Sequence, residues 1–240
     1  MTKTLTFPYG DTLIQFEPVY SSRRRTVQIS VEAPGKVVVM APEGHSEEEL
    51  ITLVSRKAKW ITQQLFQFRT VRFEPVAREL VSGESLLYLG RNYKLDLEVE
   101  DGMEKPEILL DHRVFRVRSQ SSSPDYLRPY LIDWYGWKAF EKIDSRIKYF
   151  APKLGISPIG FRIKEQKKRW GSCTKDGMLF FNWRCVLAPA PILDYIVAHE
   201  LCHLLEHPHS ARFWKLLRAV MPEFEARKQW LKENGVKLDI

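Results

Sequence analysis

The order His199-Glu200-Leu201-Cys202-His203 constrains this chain more than any other stretch, because on an α-helix it puts two imidazoles on one face with a carboxylate between them. At about 100° per residue the two rings are about 40° apart and one turn from each other, and Glu200 reaches a water on the same metal. Zinc held by neutral nitrogens lowers the pKa of a coordinated water to about 7, so a nearby carboxylate can act as base at neutral pH. The five residues thus supply ligand, ligand and base for metal-assisted hydrolysis.

Four of the six histidines, His199, His203, His207 and His209, fall within eleven residues. The segment from Pro191 to Ala198 reads as a buried helix with Pro at its first position and Ile192, Leu193, Ile196 and Val197 on its apolar face. Continuing that helix sets His199 and His203 at the edge of the apolar stripe, where a solvated histidine is not expected. Pro208 is expected to end the helix, and the returning chain carries His209 within reach of a metal, with His207 beside it. On spacing alone the third ligand stays open. Glu223 or Glu225 on a later helix would give the gluzincin arrangement, and Cys173 would give that of a deformylase-like amidase.

A chain of 240 residues is long enough for one large domain or two small ones without disulfide reinforcement. Cys173, Cys185 and Cys202 form no C-x-x-C pair, which is expected of reduced thiols in the cytoplasm. No stretch approaches eighteen consecutive apolar residues and no apolar leader follows Met1, so neither export nor membrane spanning is expected. The net charge of +7 is spread over the chain, with Arg23-Arg24-Arg25 and Lys167-Lys168-Arg169 as the densest runs. Such runs are read first as solvated strand ends or loops, and DNA or a DNA-bound protein is the partner they would suit.

Thr26 to Val31 and Lys36 to Met40 flank Pro34-Gly35 as a hairpin, and Ser46 with Glu49 forms a capping box for one amphipathic helix running to about Phe68, with Trp60 on its core side. Leu86 to Leu89 and Tyr93 to Val99 make a second hairpin around Gly90-Arg91-Asn92, followed by strands near 108–110 and 114–117. Gln120-Ser121-Ser122-Ser123-Pro124 reads as a linker before a long helix ending near Pro152. The expected division is a strand-rich region over 1–120 and a catalytic region over 121–240. Strands at 160–164 and 178–184, the histidine helix and two later helices complete the second part, with no internal sequence repeat.

Several stretches taken together resemble the YgjP-like zinc metallopeptidases, relatives of the SprT-like proteins in the zincin group. They are Ser22-Arg23-Arg24-Arg25, Gly83-Glu84, Tyr88-Leu89-Gly90, Arg169-Trp170-Gly171-Ser172-Cys173, Asn182-Trp183-Arg184, His199 to His203, His209-Ser210 and Phe213-Trp214, and the likeness spans roughly residues 21–234. The resemblance implies an α+β fold: a zincin-like core in which the active-site helix packs on a small sheet, preceded by a strand-rich region. It also implies one zinc ion, peptide-bond hydrolysis, His199, His203 and His209 as ligands, and Glu200 as base. SprT-like relatives include proteases that act on DNA-bound proteins. Cys202 stands where a smaller residue is more usual, and Glu206 where metzincins of the same histidine spacing carry a turn glycine.

Arg169 and Arg184 are candidates for the positive charge that steadies an oxyanion, with His207 as a neighbour of the ligands. Met178 to Arg184 alternates two mostly apolar faces. It is either a central strand or an edge strand over the zinc to which a peptide adds. The non-enzymatic alternative is a DNA-associated or scaffold protein with a structural zinc, in which Glu200 would have no purpose.

Overall fold

The computed structural model describes residues 4–10, 12–32, 35–70, 78–166 and 169–240; Pro34, Lys167 and Lys168, named above, lie outside them. The chain divides into two compact units, Met1–Glu74 and Pro75–Ile240.

The first unit holds β1 (Leu5–Tyr9), β2 (Thr12–Tyr20), β3 (Gln28–Glu32) and β4 (Lys36–Ala41), ordered β1-β2-β4-β3. The β1–β2 hairpin was not anticipated from the residues; β3 and β4 pair as expected, with Glu32 opposite Lys36. Arg23 to Arg25 occupy the link from β2 to β3, with Arg23 and Arg25 exposed. The Ser46 capping box is complete, its hydroxyl accepting from Glu49 N–H at 3.2 Å and the Glu49 carboxylate accepting from Ser46 N–H at 3.0 Å. Two helices follow rather than one, α1 (Glu47–Ser55) and α2 (Ala58–Thr70), because a tightened turn in which Lys57 N–H donates to Val54 C=O interrupts the ladder. That turn keeps Leu50, Val54, Ala58 and Ile61 in the core with Phe7, Ile14, Phe16 and Val39, and leaves Trp60 on the outside, 40% exposed.

The second unit opens with β5 (Ser85–Tyr88), β6 (Arg91–Val99), β7 (Glu107–Asp111) and β8 (Val114–Ser119), ordered β5-β6-β8-β7. This sheet repeats the pairing of the first: two antiparallel hairpins joined by a parallel central pair. The sequence shows no such repeat, since strand pairing needs only an alternating apolar face and not particular residues. The 31-residue α3 (Pro124–Leu154) then lays a stripe at every fourth residue, Leu127, Leu131, Tyr135, Ala139, Ile143 and Ile147, against the sheet and the site helix. It stops at Gly155, whose φ of +66° lets its N–H reach the Ala151 and Pro152 carbonyls.

The division expected near residue 120 therefore moves to the Glu74–Pro75 boundary. Leu86, Leu95, Phe115 and Val117 from the sheet share one core with Leu127, Leu131 and Tyr135 from α3. Residues 120–123 accordingly connect elements that pack on each other; they do not separate domains.

Beyond α3 lie β9 (Gly160–Lys164), β10 (Gly171–Cys173) and β11 (Met178–Asn182), a 3₁₀ turn at Trp183–Leu187, α4 (Ala190–Cys202), α5 (Ala211–Val220) and α6 (Phe224–Asn234). The fold is α+β, with α4 packed on α3, β10, α5 and α6. Among the described residues no helix is long and apolar enough to cross a membrane.

Two devices fix where α4 begins. The β5–β6 hairpin turns through Leu89 and Gly90 at φ +48° and +75°, a two-residue turn tighter than the three residues read from the sequence. Its exposed amides donate to the Val186 and Leu187 carbonyls at 2.7 and 3.1 Å. A Cβ on Gly90 would lie 2.7 Å from Pro189 Cγ and 2.8 Å from its Cα, so only glycine permits this approach. Arg146 of α3 grips Asp194 of α4 with two parallel hydrogen bonds of 2.6 and 3.0 Å. Gly90→Ala is expected to destabilise the protein by about 1–3 kcal/mol, from left-handed strain and the clash with Pro189; urea unfolding with no loss of stability would contradict this account of how α4 is seated.

Candidate metal centre

Helix α4 is buried on nearly every side, with Ile192, Leu193, Tyr195, Ile196, Val197, Ala198, Leu201 and Cys202 all in the core, as befits a helix hydrophobic all round. Cys202 fills space there, fully buried. On this rod His199 and Glu200 stand at fixed angles and His203 caps the end. The regular helix stops at Cys202, six residues before Pro208.

The chain returns without a glycine. Leu204 and Leu205 N–H groups donate to the Leu201 and Cys202 carbonyls, each at 3.1 Å, tightening the last turn. Glu206 then serves twice: its backbone carbonyl lies 3.2 Å from His203 Nδ1, and its carboxylate accepts from the Ser210 hydroxyl at 3.1 Å. Ser210 in turn caps α5, its oxygen accepting from Phe213 N–H at 3.3 Å. No left-handed residue is needed, which is how Glu206 occupies a place where metzincins carry glycine.

The result brings His199, His203 and His209 together. Their Nε2 atoms lie 3.2 Å (His199 to His203) and 3.0 Å (His199 to His209) apart. Tetrahedral zinc with Zn–N bonds of about 2.0–2.1 Å separates its ligand nitrogens by about 3.3 Å, so the arrangement fits that ion. Three lone pairs converging without a proton or cation between them would repel. Two of the three outer nitrogens support the assignment: His203 Nδ1 faces the Glu206 carbonyl, and His199 Nδ1 lies 3.5 Å from the Tyr195 hydroxyl, which leaves their Nε2 as the metal-facing atoms.

Among the described residues the group numbers three, and neither Cys173 nor Glu223 nor Glu225 belongs to it. Glu225 pairs with Arg218. His207 is exposed beside the cluster and is not part of it. Burial, with the neighbouring His203, His209 and Lys228 charges adding to it, drives the His199 pKa down to about 3. Burial also lowers His203 and His209. All three are thus held in the neutral form that binds metal.

Glu200 is 7% exposed and lies against β10. A Cβ on Gly171 would sit 2.6–2.8 Å from its Cγ, Cδ and Oε1, so the glycine in Arg169-Trp170-Gly171-Ser172-Cys173 makes room for the carboxylate. Burial pushes the Glu200 pKa up to about 8, and the Arg169 charge opposes that rise. The Trp170 carbonyl accepts from Asn182 N–H at 2.8 Å, and the Asn182 side-chain amide donates to the Gln166 and Arg169 carbonyls at 2.6 and 3.1 Å, holding the loop that leads into β10.

The two arginine candidates part company here. Arg169 bears electrostatically on Glu200. Arg184 instead stacks 4.4 Å from the Trp183 ring and is bound to Asp239 and Glu165 at 3.0 and 2.9 Å, an ion-pair network that holds the chain end and is not directed at the imidazoles. Strand β11 is central, between β10 and β9, and the edge of this sheet nearest α4 is β10. The apolar alternation of Met178 to Asn182 already carried that outcome as one of its two readings, because both faces are covered. Reading the sequence missed Tyr195, although its place four residues before His199 sets both on one helix face.

A family profile described as "YgjP-like, metallopeptidase domain" matches residues 25–234, most of the chain. Comparison with curated proteins gives no match. Among solved structures, the metallopeptidase zymogen abylysin of Pyrococcus abyssi is 24% identical over 40% of this chain and 94% of its own, with a TM-score of 0.36.

The opposed shifts predict a pH signature in the metal-free protein. Folded Glu200 keeps its proton up to about 8 while an ordinary carboxyl releases it near 4.5, so its stabilising effect is full below 4.5 and lost as pH rises to about 8. His199 acts in the other direction, destabilising as pH falls from 6.5 toward about 3, because only the unfolded chain then takes up its proton. Between pH 6.5 and 8 the Glu200 effect is the one that remains of this pair. Thermal unfolding of the metal-free protein is expected to weaken across that interval and to do so less in Glu200→Gln; matching profiles would refute the assignment.

Proposed function

The chain belongs to the YgjP-like metallopeptidase family, and from that premise we propose that it hydrolyses peptide bonds with one zinc ion held by His199, His203 and His209 and with Glu200 as general base. The observation that carries this reading is the convergence of three imidazole nitrogens, two of them on the helix that also carries the buried carboxyl of Glu200. Zinc bound there supplies a Lewis acid that polarises the scissile carbonyl and brings a coordinated water to a pKa of about 7.

The chain's own residues do the rest. Glu200 takes a proton from the attacking water and passes it to the leaving nitrogen. Tyr195 and the Glu206 carbonyl hold the outer nitrogens of His199 and His203, so the rings keep their direction through the cycle. Arg169, whose charge favours the ionised form of Glu200, readies it as a base. The extended peptide adds to β10, the edge strand of its sheet, whose first residue lies against Glu200.

A structural zinc normally has all four positions closed by protein ligands, whereas the group here offers three among the described residues, which favours the catalytic reading. Glu200→Gln is expected to retain zinc while hydrolysis of a fluorogenic peptide library falls by about 10²–10⁴-fold, and His203→Ala to lose both. Full activity in a metal-free Glu200→Gln protein would end the proposal. Gly171→Ala leaves every ligand untouched but displaces the base; we expect zinc content to be kept and kcat to drop about 10²-fold, and unchanged kcat would show that the β10 contact does not position Glu200.

A further inference from the structure

Phe213 lies on α5, outside the ligand set, yet its ring meets every ligand. Its centroid is 4.9 Å from that of His199, 4.6 Å from His203 and 4.8 Å from His209, and the side chain is fully buried. One ring therefore underlies all three imidazoles. We propose that Phe213 is a positioning residue of the metal centre, a rigid apolar floor that sets the directions in which the three Nε2 lone pairs converge. The proposal rests on the reading that these imidazoles hold a metal ion.

The need for such a floor follows from the unequal support of the three ligands. His199 has the Tyr195 hydroxyl at its outer nitrogen and His203 has the Glu206 carbonyl. Among the described residues His209 Nδ1 has no corresponding hydrogen bond, and the ring is exposed on one side. What orients it is aromatic packing: Trp214 stacks on it at 5.4 Å and 23°, and Phe213 meets it at 4.8 Å and 74°. Trp214 is itself backed by Phe224 at 5.3 Å and 12°, so the stack has a firm rear wall. An imidazole without a hydrogen-bonded outer nitrogen can rotate, and a rotated ring aims its lone pair away from the shared point. A flat ring in contact with all three removes that freedom together with water on the inner side.

The position of Phe213 is also tied to the ligand turn. Its N–H is the donor that Ser210 caps, and the same Ser210 hydroxyl binds Glu206, whose carbonyl faces His203. Floor, third ligand and second ligand are thus joined within eleven residues, so α5 carries the floor into place as the turn forms.

The test compares Phe213→Leu and Phe213→Met, which keep an apolar side chain without the flat ring, with Leu217→Ala, an equally buried change one turn further along α5. The measurements are zinc affinity by competition with a chromophoric chelator, the visible spectrum of the cobalt(II)-loaded protein, and thermal unfolding of each metal-free form. Both Phe213 variants are expected to lose zinc affinity about 10–100-fold and to shift the cobalt bands. Leu217→Ala is expected to lower the stability of the metal-free protein while leaving affinity and bands unchanged. Wild-type affinity and spectrum in folded Phe213→Leu or Phe213→Met would overturn the proposal, as would an equal change in Leu217→Ala, which would reduce Phe213 to ordinary core packing. Failure of the wild-type protein to bind zinc or cobalt would instead remove the metal reading beneath it.

Discussion

Three imidazole nitrogens directed at one point make up an arrangement that repels itself unless a proton or a cation sits between them, and much of the second unit can be understood as the means of enforcing it. A helix buried on nearly every side cannot rotate to relieve the crowding of His199 and His203, and the Glu206–Ser210 bond returns His209 to them. Burial strips the rings of solvent and so depresses their basicity, which removes the competing proton and leaves a ready site for metal. The same burial acts in the opposite sense on Glu200, raising its pKa. One low-dielectric environment thus favours the neutral form of the imidazoles and of the Glu200 carboxyl alike in the metal-free protein.

Around this centre the family motifs resolve into separate physical tasks. Tyr88-Leu89-Gly90 is a hairpin tip whose amides and glycine seat the start of α4. Asn182-Trp183-Arg184 is architectural: the amide pins the loop before β10, the indole stacks on Tyr135 at 5.8 Å, and the guanidinium holds Asp239. Arg169 to Cys173 is the segment that meets Glu200, through the charge of Arg169 and the missing side chain of Gly171. Phe213-Trp214 backs the His209 imidazole with a pair of rings.

Local features were legible before any coordinates. The capping box at Ser46, the hairpins at 35 and 90, the long helix ending near Pro152 and the buried character of α4 all follow from spacing and turn chemistry, which act over a few residues. Where the reading failed, a distant contact had decided the outcome. One continuous helix was expected after Ser46, but keeping Leu50, Val54 and Ile61 in a shared core required a tightened turn that carried Trp60 outward. A boundary was expected at the Ser-rich segment near 120, but the sheet before it and α3 after it bury each other's apolar faces. Composition marks a flexible connection; it does not say whether the connected elements pack together.

The chain alone determined that His199 and His203 share one helix face with Glu200 between them, because a helix converts their spacing into geometry with no other information required. Only the tertiary structure brought His209, and neither Cys173 nor the glutamates, to His199 and His203, separated Arg169 from Arg184, and made β10 the edge strand with β11 central. Each of those choices depends on where a returning chain comes to rest, and that is set by the packing of side chains far apart in sequence, for which periodicity holds no record.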